Sequence, residues 1–517
     1  MCAVFSDAFI KGIESALDEY DAIAICFSEL MQGEPKVDES FVNRYVKQMS
    51  GTQVYGKYED AFDTLYSNLS RITKQLITGS SVSTVCSELL KEIVEFEVPQ
   101  GTDEKTVVKM CICRAIMALE HYLQEDQDTL EKHRQYIMNP LNKNLETECL
   151  VYFRKEPSNF FMCTPEGNEE SNYRKKPRGT YAGKIPDLFK VVQPIYRSEL
   201  PTRVVPHIET VGLVPESIRS AQKLRIAYIP YAGFETFKFW IEGQKAPLSR
   251  LSTGHKKGNF FIYYPPELEQ ANCERMFSLL DKAIDEQKAN IVVFPEFVTS
   301  PNMLNEMKRY LTKRWDDGDD RPDHLLLVFP GTTCEKSDDG RYNNTLNILK
   351  GNGTQLRHTY YKNTPYNENE LCEILSDPGK KLIILDVEGV GRILPAICKD
   401  AIDPNYTSKF VDIFEPDLIL IPAWSRSLDS FRRVQGAFAK INYAASVMCN
   451  CCNAVDSNTS TSIGMYCIPT KSKTGMDANI EHFERTSDCQ KLCEISGGCV
   501  KMLEIDCSAG YPQGKIE

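Results

Sequence analysis

The sequence predicts an α/β domain preceded by an all-α domain, and three observations indicate this fold class. In residues 1–163, apolar residues recur at the spacing of amphipathic helices, as in VCSELLKEIVEFE. From residue 223 onward, short β-rich runs alternate with helical patterns, which is typical of an α/β domain with a covered sheet. Residues 164–222 carry many prolines and glycines and are predicted to be a connector. The predicted domains are therefore 1–163, 164–222 and 223–517.

Composition restricts the classes of function. The chain has 517 residues, more than one core usually covers, and its net charge of −12 disfavours a general nucleic-acid surface. No apolar run is long enough to span a bilayer, and acidic residues occur too early at the N-terminus for a secretory signal. We therefore expect a cytoplasmic protein that binds no membrane and whose nineteen cysteines are mostly reduced.

The β-rich runs of the second half end in polar residues at three places. The runs include NIVVFPEF, HLLLVFPG, TLNILKG, KLIILDVEG, RILPAIC and DLILIPAW. Glu296 follows VVFP, Lys362 follows HTYY and Cys398 follows LPAI. Functional groups of α/β folds tend to lie at the ends of strands, so these side chains are candidates for one site.

The three residue types suit nucleophilic catalysis. A free cysteine ionises near pH ~8.5, so catalysis near neutral pH needs a base or a positive charge beside the thiol. Glu296 is a candidate for the base and Lys362 for the charge. Each residue alone has a structural interpretation, because cysteine is among the most buried residue types and acids at strand ends often cap helices.

The surrounding motifs resemble those of the carbon-nitrogen hydrolase (nitrilase) superfamily over about residues 223–507. ANIVVFPEF resembles the family's glutamate strand, RYNNTLNILKGNGTQLRHTYYK its hairpin leading to the lysine, and ICKDAIDP its nucleophile elbow. PDLILIPAW, AKINYAASVMCN and KMLEID resemble later elements, with Asn450 where the family keeps an asparagine. The resemblance implies a four-layer αββα sandwich with two stacked sheets. It also favours a homo-oligomer, although the helical domain could block that surface.

The resemblance implies a role for each candidate. Glu296 is the implied general base, Cys398 the nucleophile, and Lys362 with the backbone N–H of Lys399 the group that stabilises the oxyanion. Lys399 replaces an aromatic residue of the family, and it is a candidate for lowering the pKa of the thiol or for binding an acidic substrate. Asp400 matches the acid of amidase-like members, which favours amides over nitriles.

A second glutamate that orients the lysine and the substrate is also implied, about eight positions after the lysine. In KNTPYNENELCE this offset favours Glu370, while Glu368 and Glu373 are alternatives because inserted residues would shift the position.

Two further segments have less specific patterns. The cysteines of CNCC, at 449–452, and the series Cys489, Cys493, Cys499 and Cys507 lack the paired spacing of a zinc site, and no phosphate-binding G-x-x-x-x-G-K-[ST] loop occurs. We therefore predict neither a metal nor a cofactor. Residues 234–266 form an insertion longer than an ordinary βα loop. It is either a lid over the site or a surface elaboration.

The predicted function is cysteine-dependent hydrolysis of a non-peptide C–N bond in a small amide or carbamoyl substrate, through a thioester. Two alternatives stay open. One is a nitrilase-like ligand-sensing or assembly protein with little or no turnover, and the other is an acyltransferase that uses the same thioester. The helical domain has no assigned role and is a candidate for binding a protein partner.

Overall fold

The structure is a computed structural model that describes only part of the chain. The described residues are 5–16, 18–30, 55–77, 80–97, 104–125, 149–153, 192–197, 200, 204–212, 218, 222–231, 238–241, 244–246, 258–317, 321–336, 342–368, 371–376, 381–454, 462–472, 475–484, 499–507 and 513–516. They fall into two compact units.

The first unit contains the helices of the N-terminal half. Its elements are α1 Asp7–Glu14, α2 Glu19–Leu30, α3 Tyr55–Thr73, α4 Val82–Val94, α5 Glu104–Glu125, β1 Cys149–Phe153 and β2 Val192–Tyr196. The hydroxyls of Ser6 and Ser81 cap α1 and α4 by accepting hydrogen bonds from backbone N–H groups. The apolar faces of the helices pack into one core, with Phe62, Leu89 and Ile116 buried in it. The predicted helices are confirmed, and the unit also has an antiparallel pair of strands, β1 and β2, that an all-α domain lacks.

The second unit is built on two large sheets. The six-stranded sheet contains, in spatial order, β12 Leu349–Lys350, β9 Leu327–Phe329, β8 Ile291–Val293, β4 Lys223–Tyr228, β22 Lys501–Asp506 and β23 Gln513–Ile516. The seven-stranded sheet contains β21 Gly475–Glu484, β20 Ser462–Ser472, β19 Ala445–Asn450, β18 Leu418–Ala423, β17 Gly391–Pro395, β16 Lys381–Val387 and β3 Val205–Val211. The central strands β4, β8 and β9 run parallel, as do β17, β18 and β19. Their continuous apolar sequences fit strands covered on both faces.

The two sheets stack face to face. The ring of Tyr228 on β4 lies 4.1 Å from that of Phe483 on β21, and the thiol of Cys449 on β19 donates to the carbonyl of Val293 on β8 at 3.4 Å. Helices cover the outer faces. These are α6 Pro266–Asp281, continued by a π-helical turn, α7 Pro301–Asp316, α8 Lys399–Ile402, α9 Thr407–Phe414 and α10 Asp429–Asn442. Met276 of α6 and Met307 of α7 share a core with the six-stranded sheet, and Gln435 of α10 accepts from Ser446 of the seven-stranded sheet. The four-layer αββα sandwich is confirmed.

Two smaller sheets lie beside this sandwich. One contains β10 Thr332–Lys336, β11 Tyr342–Leu346 and β13 Tyr360–Tyr361. The other, the insertion sheet, contains β14 Asn367–Glu368, β15 Leu371–Glu373, β7 Gly258–Tyr263, β5 Lys238–Ile241 and β6 Gln244–Ala246. Three of its strands come from the insertion at 234–266, so the described part of that segment forms regular structure and supports β15 through parallel pairing with β7.

Two strands occur within the segment 164–222 that its prolines predict to be a connector. β2 belongs to the first unit, and β3 pairs in parallel with β16 at the edge of the seven-stranded sheet. Pro206 is compatible with β3 because an edge strand has one side without ladder hydrogen bonds. Among the helices that the structure describes, none combines the length and apolar character needed to cross a membrane.

Candidate active site

Cys398 lies in a strained turn between a buried strand and a helix. β17 ends at Pro395, and Cys398 precedes α8 with φ of 43° and ψ of −109°. Its backbone N–H donates to the carbonyl of Pro422 at 2.8 Å, which fixes the turn to β18. A positive φ is unfavourable for a residue with a Cβ, and such strain is kept where the surroundings hold a functional group in place. The side chain is buried, with 3% of its surface exposed.

Glu296 follows β8 and accepts hydrogen bonds on both carboxylate oxygens. Its Oε1 accepts from Nζ of Lys362 at 2.7 Å and from Nδ2 of Asn344 at 2.9 Å. Its Oε2 accepts from the backbone N–H of Trp424 at 3.0 Å. The carboxylate is therefore held from three elements, the lysine segment, β11 and the loop after β18.

Lys362 lies between two buried carboxylates. Besides Glu296, its Nζ donates to Oε2 of Glu373 at 2.5 Å, and all three side chains are nearly inaccessible to solvent. Nδ2 of Asn344 donates to both glutamates, because it also lies 2.9 Å from Oε1 of Glu373. The ring of Phe297, whose centroid is 5.5 Å from Nζ, covers another side of the ammonium group.

The electrostatics of this cluster follow from burial and pairing. Burial favours the neutral amine of Lys362, but the two glutamates outweigh it and raise the pKa of Lys362 well above its ordinary value. Burial raises the pKa of Glu296, with Glu373 adding to the shift and Lys362 opposing it. The lysine is therefore a permanent positive charge near neutral pH, and Glu296 is more basic than an exposed glutamate.

The thiol of Cys398 lies against the loop that also holds Glu296. It donates to the carbonyl of Trp424 at 3.5 Å, and the backbone N–H of the same Trp424 donates to Oε2 of Glu296 at 3.0 Å. Burial, followed by the charge of Glu296, raises the pKa of Cys398 well above its ordinary value, although Lys362 lowers it. Near neutral pH Cys398 is therefore a thiol and not a thiolate.

Asp400, in the first turn of α8, connects the cysteine to the lysine segment. Its fully buried carboxylate accepts from the hydroxyl of Tyr360 at 2.6 Å and from the backbone N–H groups of Asn363 and Thr364 at 3.0 and 2.6 Å. Burial raises the pKa of Asp400 to about 7, against the effect of these three donors. Because Asn363 and Thr364 directly follow Lys362, Asp400 fixes the spacing between the ammonium group and the thiol.

The structure brings Glu296, Lys362 and Cys398 together, and their catalytic roles stay predictions. Glu370, which the offset favours as the second glutamate, lies outside the described residues. The contact with Lys362 is made by Glu373, whose strand β15 pairs with β14 and β7. Lys399 is half-buried at the start of α8.

Sequence reasoning did not assign a role to two other groups of the site. Asn344 is a buried polar residue of YNNTL, and its position on β11 beside the lysine strand was the available signal. The loop that carries Trp424 is held by Asn450, whose side chain exchanges two hydrogen bonds of 2.8 Å with the backbone of Ser425. Asn450 is the asparagine that the motif resemblance singles out.

The cysteines considered for a metal have other surroundings. The buried thiols of Cys449 and Cys451 donate to the backbone carbonyls of Val293 and Glu296. Cys489 and Cys493 lie outside the described residues. Within the described part of the chain, no group of three or more histidine, cysteine or acidic side chains is arranged to hold a metal ion.

The second unit has the four-layer αββα architecture that the motifs predict. No family model and no curated protein matches the sequence. Three similar solved structures are a glutamine-dependent NAD+ synthetase from Acinetobacter baumannii, Nit3 of Saccharomyces cerevisiae, a member of branch 10 of the nitrilase superfamily, and an amidase from Nesterenkonia sp..

The three likenesses are distant. The synthetase is 12% identical with a TM-score of 0.34, and the match covers 56% of this chain and 47% of the synthetase, about half its length. Nit3 is 15% identical with a TM-score of 0.31, covering 51% of this chain and 90% of Nit3. The amidase is 13% identical with a TM-score of 0.32, covering 53% of this chain and 95% of the amidase.

Proposed function

We propose that the second unit is a cysteine-dependent amidase that cleaves the C–N bond of a small amide or carbamoyl substrate through a thioester. The observation that carries the proposal is one buried thiol and one buried glutamate bound to the same residue, Trp424, with that glutamate paired to a buried lysine. Asp400, the residue that favours amides over nitriles by resemblance, is buried beside this cluster. A buried nucleophile, base and fixed charge in contact are the arrangement that covalent catalysis requires.

In the first half-reaction, Sγ of Cys398 attacks the carbonyl carbon while its proton passes to Glu296. A C–S bond forms, and the oxyanion is stabilised by the ammonium group of Lys362 and the backbone N–H of Lys399. Glu296 then returns the proton to the substrate nitrogen, the C–N bond breaks, and ammonia or an amine leaves. The product is an acyl thioester on Cys398 with a neutral leaving group.

In the second half-reaction, a water molecule attacks the thioester carbon and gives a proton to Glu296. A C–O bond forms, the C–S bond breaks, and the proton returns from Glu296 to the sulfur. The products are a carboxylic acid and the free thiol. Glu373 keeps the ammonium group of Lys362 in place in this scheme, so one glutamate moves the proton while the other positions the charge.

The proposal is tested by intact-mass measurement after rapid quenching with a panel of short amides, carbamoyl compounds and nitriles. We expect an acyl adduct on the wild type and on Cys452→Ala, a matched removal of a half-buried thiol that lies outside the described contacts of the cluster. Cys398→Ala should form no adduct and release no ammonia. Turnover that persists in Cys398→Ala would exclude the proposed nucleophile.

The same experiment separates the two alternatives. Release of ammonia together with a carboxylic acid indicates hydrolysis, whereas transfer of the acyl group to an added amine in preference to water indicates an acyltransferase. Substrate binding without any adduct would support a ligand-sensing protein instead.

A further inference from the structure

We propose that Asn344 is a substrate-binding residue, and that its Oδ1 accepts a hydrogen bond from an N–H of the substrate amide. The inference rests on the proposed amidase function and narrows the substrate class. The preferred substrates would be amides or carbamoyl compounds with at least one N–H on the scissile nitrogen, and not the corresponding esters or nitriles.

The orientation of the Asn344 side chain is determined by its neighbours. Nδ2 lies 2.9 Å from Oε1 of Glu296 and 2.9 Å from Oε1 of Glu373. Carboxylate oxygens accept hydrogen bonds, so the amide nitrogen must face them, and the flipped side chain would bring oxygen against oxygen. The two glutamates therefore direct Oδ1 away from themselves.

Oδ1 of Asn344 is left as a buried acceptor. It has no hydrogen-bond partner among the residues that the structure describes, and only 1% of the Asn344 surface is exposed. Buried polar groups in native proteins are nearly always paired, so a single unpaired acceptor inside a reactive cluster indicates that a ligand or a water completes it. Since Oδ1 shares one carbon with Nδ2, which donates to Glu296, this acceptor belongs to the same cluster although it does not face that carboxylate.

The other acceptors around the thiol each already bind at least one donor. Glu296 accepts from Lys362, Asn344 and the backbone of Trp424, and the carbonyl of Trp424 accepts from the thiol. Glu373 accepts from Lys362, Asn344 and the backbone N–H of Tyr366. The scissile nitrogen must approach Glu296 to receive its proton, and beside these acceptors Oδ1 of Asn344 is one to which no described group donates.

Discrimination follows from this one acceptor. An amide N–H pairs with Oδ1 on binding, whereas an ester oxygen or a nitrile nitrogen brings no donor and leaves Oδ1 unpaired or displaces its water. A site built to bond a donor rejects the analogue without it more strongly than an apolar pocket does.

The test compares a primary amide with the methyl ester of the same acid on the wild type and on Asn344→Leu, which is similar in size and has no polar atoms. Both substrates form the same acyl-enzyme, so kcat/KM differs between them only in acylation. Loss of Nδ2 slows both substrates through Glu296 and Glu373, whereas loss of Oδ1 slows the amide alone. We expect the amide-to-ester ratio of kcat/KM to fall about 10-fold in Asn344→Leu and to stay unchanged in Asn343→Leu, the neighbouring position of β11.

An unchanged ratio in a folded Asn344→Leu would overturn the inference and leave Asn344 as a clamp for the two glutamates. A second measurement covers a variant that does not fold. In Cys398→Ala, which keeps Asn344, the amide should bind about 10-fold more tightly than the ester by calorimetry, and equal affinities would overturn the inference. If the wild type forms no acyl adduct with either substrate, the proposed function fails, while this binding comparison still tests Asn344.

Discussion

Nζ of Lys362 lies 2.5 Å from Oε2 of Glu373, eleven residues further along the chain, and neither side chain is accessible to solvent. The contact exists because β15, which carries Glu373, pairs with β7 of the insertion. The insertion sheet thus supplies one of the two carboxylates that keep the lysine charged.

Replacing Glu373 should therefore impair the site far more than replacing Glu370. In Glu373→Gln the ammonium group loses one of its two carboxylates and becomes free to move from the oxyanion position, and we expect kcat/KM to fall roughly 100-fold. Glu370→Gln, three positions earlier, should change kcat/KM less than about 2-fold, because Glu373 already supplies the second carboxylate at Lys362. Steady-state kinetics of the two variants decides between the glutamates, and the opposite order would return the role to Glu370.

The acylation rate should depend on the ionisation of Glu296. The carboxylate must be ionised to accept the thiol proton, and burial raises its pKa above the ordinary value of 4.5. Acylation should therefore increase with pH through a midpoint above 4.5, where a solvent-exposed glutamate would already be ionised. Quenched single-turnover measurements between pH 4 and 9 give this profile.

Glu296→Gln is the matched variant for that profile. In this variant the increase of the acylation rate with pH, the acid limb of the profile, should disappear. Acylation should also be slower by roughly 100- to 10,000-fold, which is the usual contribution of a general base. An acid limb that survives in Glu296→Gln would assign the titration to another group.

Asp400 should make the second unit less stable as the pH rises. Its pKa is about 7 in the folded chain against 3.8 ordinarily, so between these values the folded chain holds a proton that the unfolded chain has lost. The contribution of Asp400 to the free energy of unfolding therefore falls as pH rises from 3.8 to about 7, and is constant above. The total change is about 4 kcal/mol at most.

Urea unfolding of the wild type and of Asp400→Asn from pH 4 to 8.5 measures this contribution. The difference in unfolding free energy, wild type minus variant, should decrease across that range and level off above neutrality. A difference that does not change with pH would mean that Tyr360, Asn363 and Thr364 keep Asp400 ionised throughout.

Gly331 should be intolerant of a side chain. It has φ of +89°, and a Cβ there would collide with the carbonyl of Pro295, the residue before Glu296, and lie 2.6 Å from Cγ2 of Val298. We expect Gly331→Ala to lower the free energy of unfolding by roughly 1–3 kcal/mol and to slow acylation by shifting Glu296. Gly212→Ala, where nothing lies within 4 Å of the added Cβ, is the control for thermal unfolding and should match the wild type. Equal melting temperatures for both variants would contradict the prediction.

The sequence predicts the parts of the site that depend on short local patterns. Glu296, Lys362 and Cys398 each follow a short β-rich run, and the strand or strand end fixes where such a side chain lies. Glu373 could not be chosen in the same way, because its place depends on the length of the β14–β15 turn and on pairing with a strand from the insertion. Asn344 could not be assigned a role from the sequence either, because it binds two glutamates, Glu296 and Glu373, that lie far from it along the chain.

The differences between the predicted and the observed fold also arise from contacts between segments that are distant in the sequence. The insertion at 234–266 has no strong alternation, and its strands form because they pair with β15 and with each other. β1 and β2 are separated by about forty residues, so no local pattern indicates that they pair. Prolines at 194 and 206 predict a connector, yet each fits within a strand where one side needs no ladder hydrogen bond.

The edge strand of the larger sheet, β3, comes from the proline-rich segment. All seven of its residues, Val205–Val211, pair with β16. A shortened chain starting at Lys223, where the recognisable motifs begin, would bare the backbone donors and acceptors of β16. An exposed strand edge pairs readily with other chains. Such a fragment should therefore self-associate even though it keeps Glu296, Lys362 and Cys398. The smallest part of the second unit that folds independently therefore begins before the motifs do.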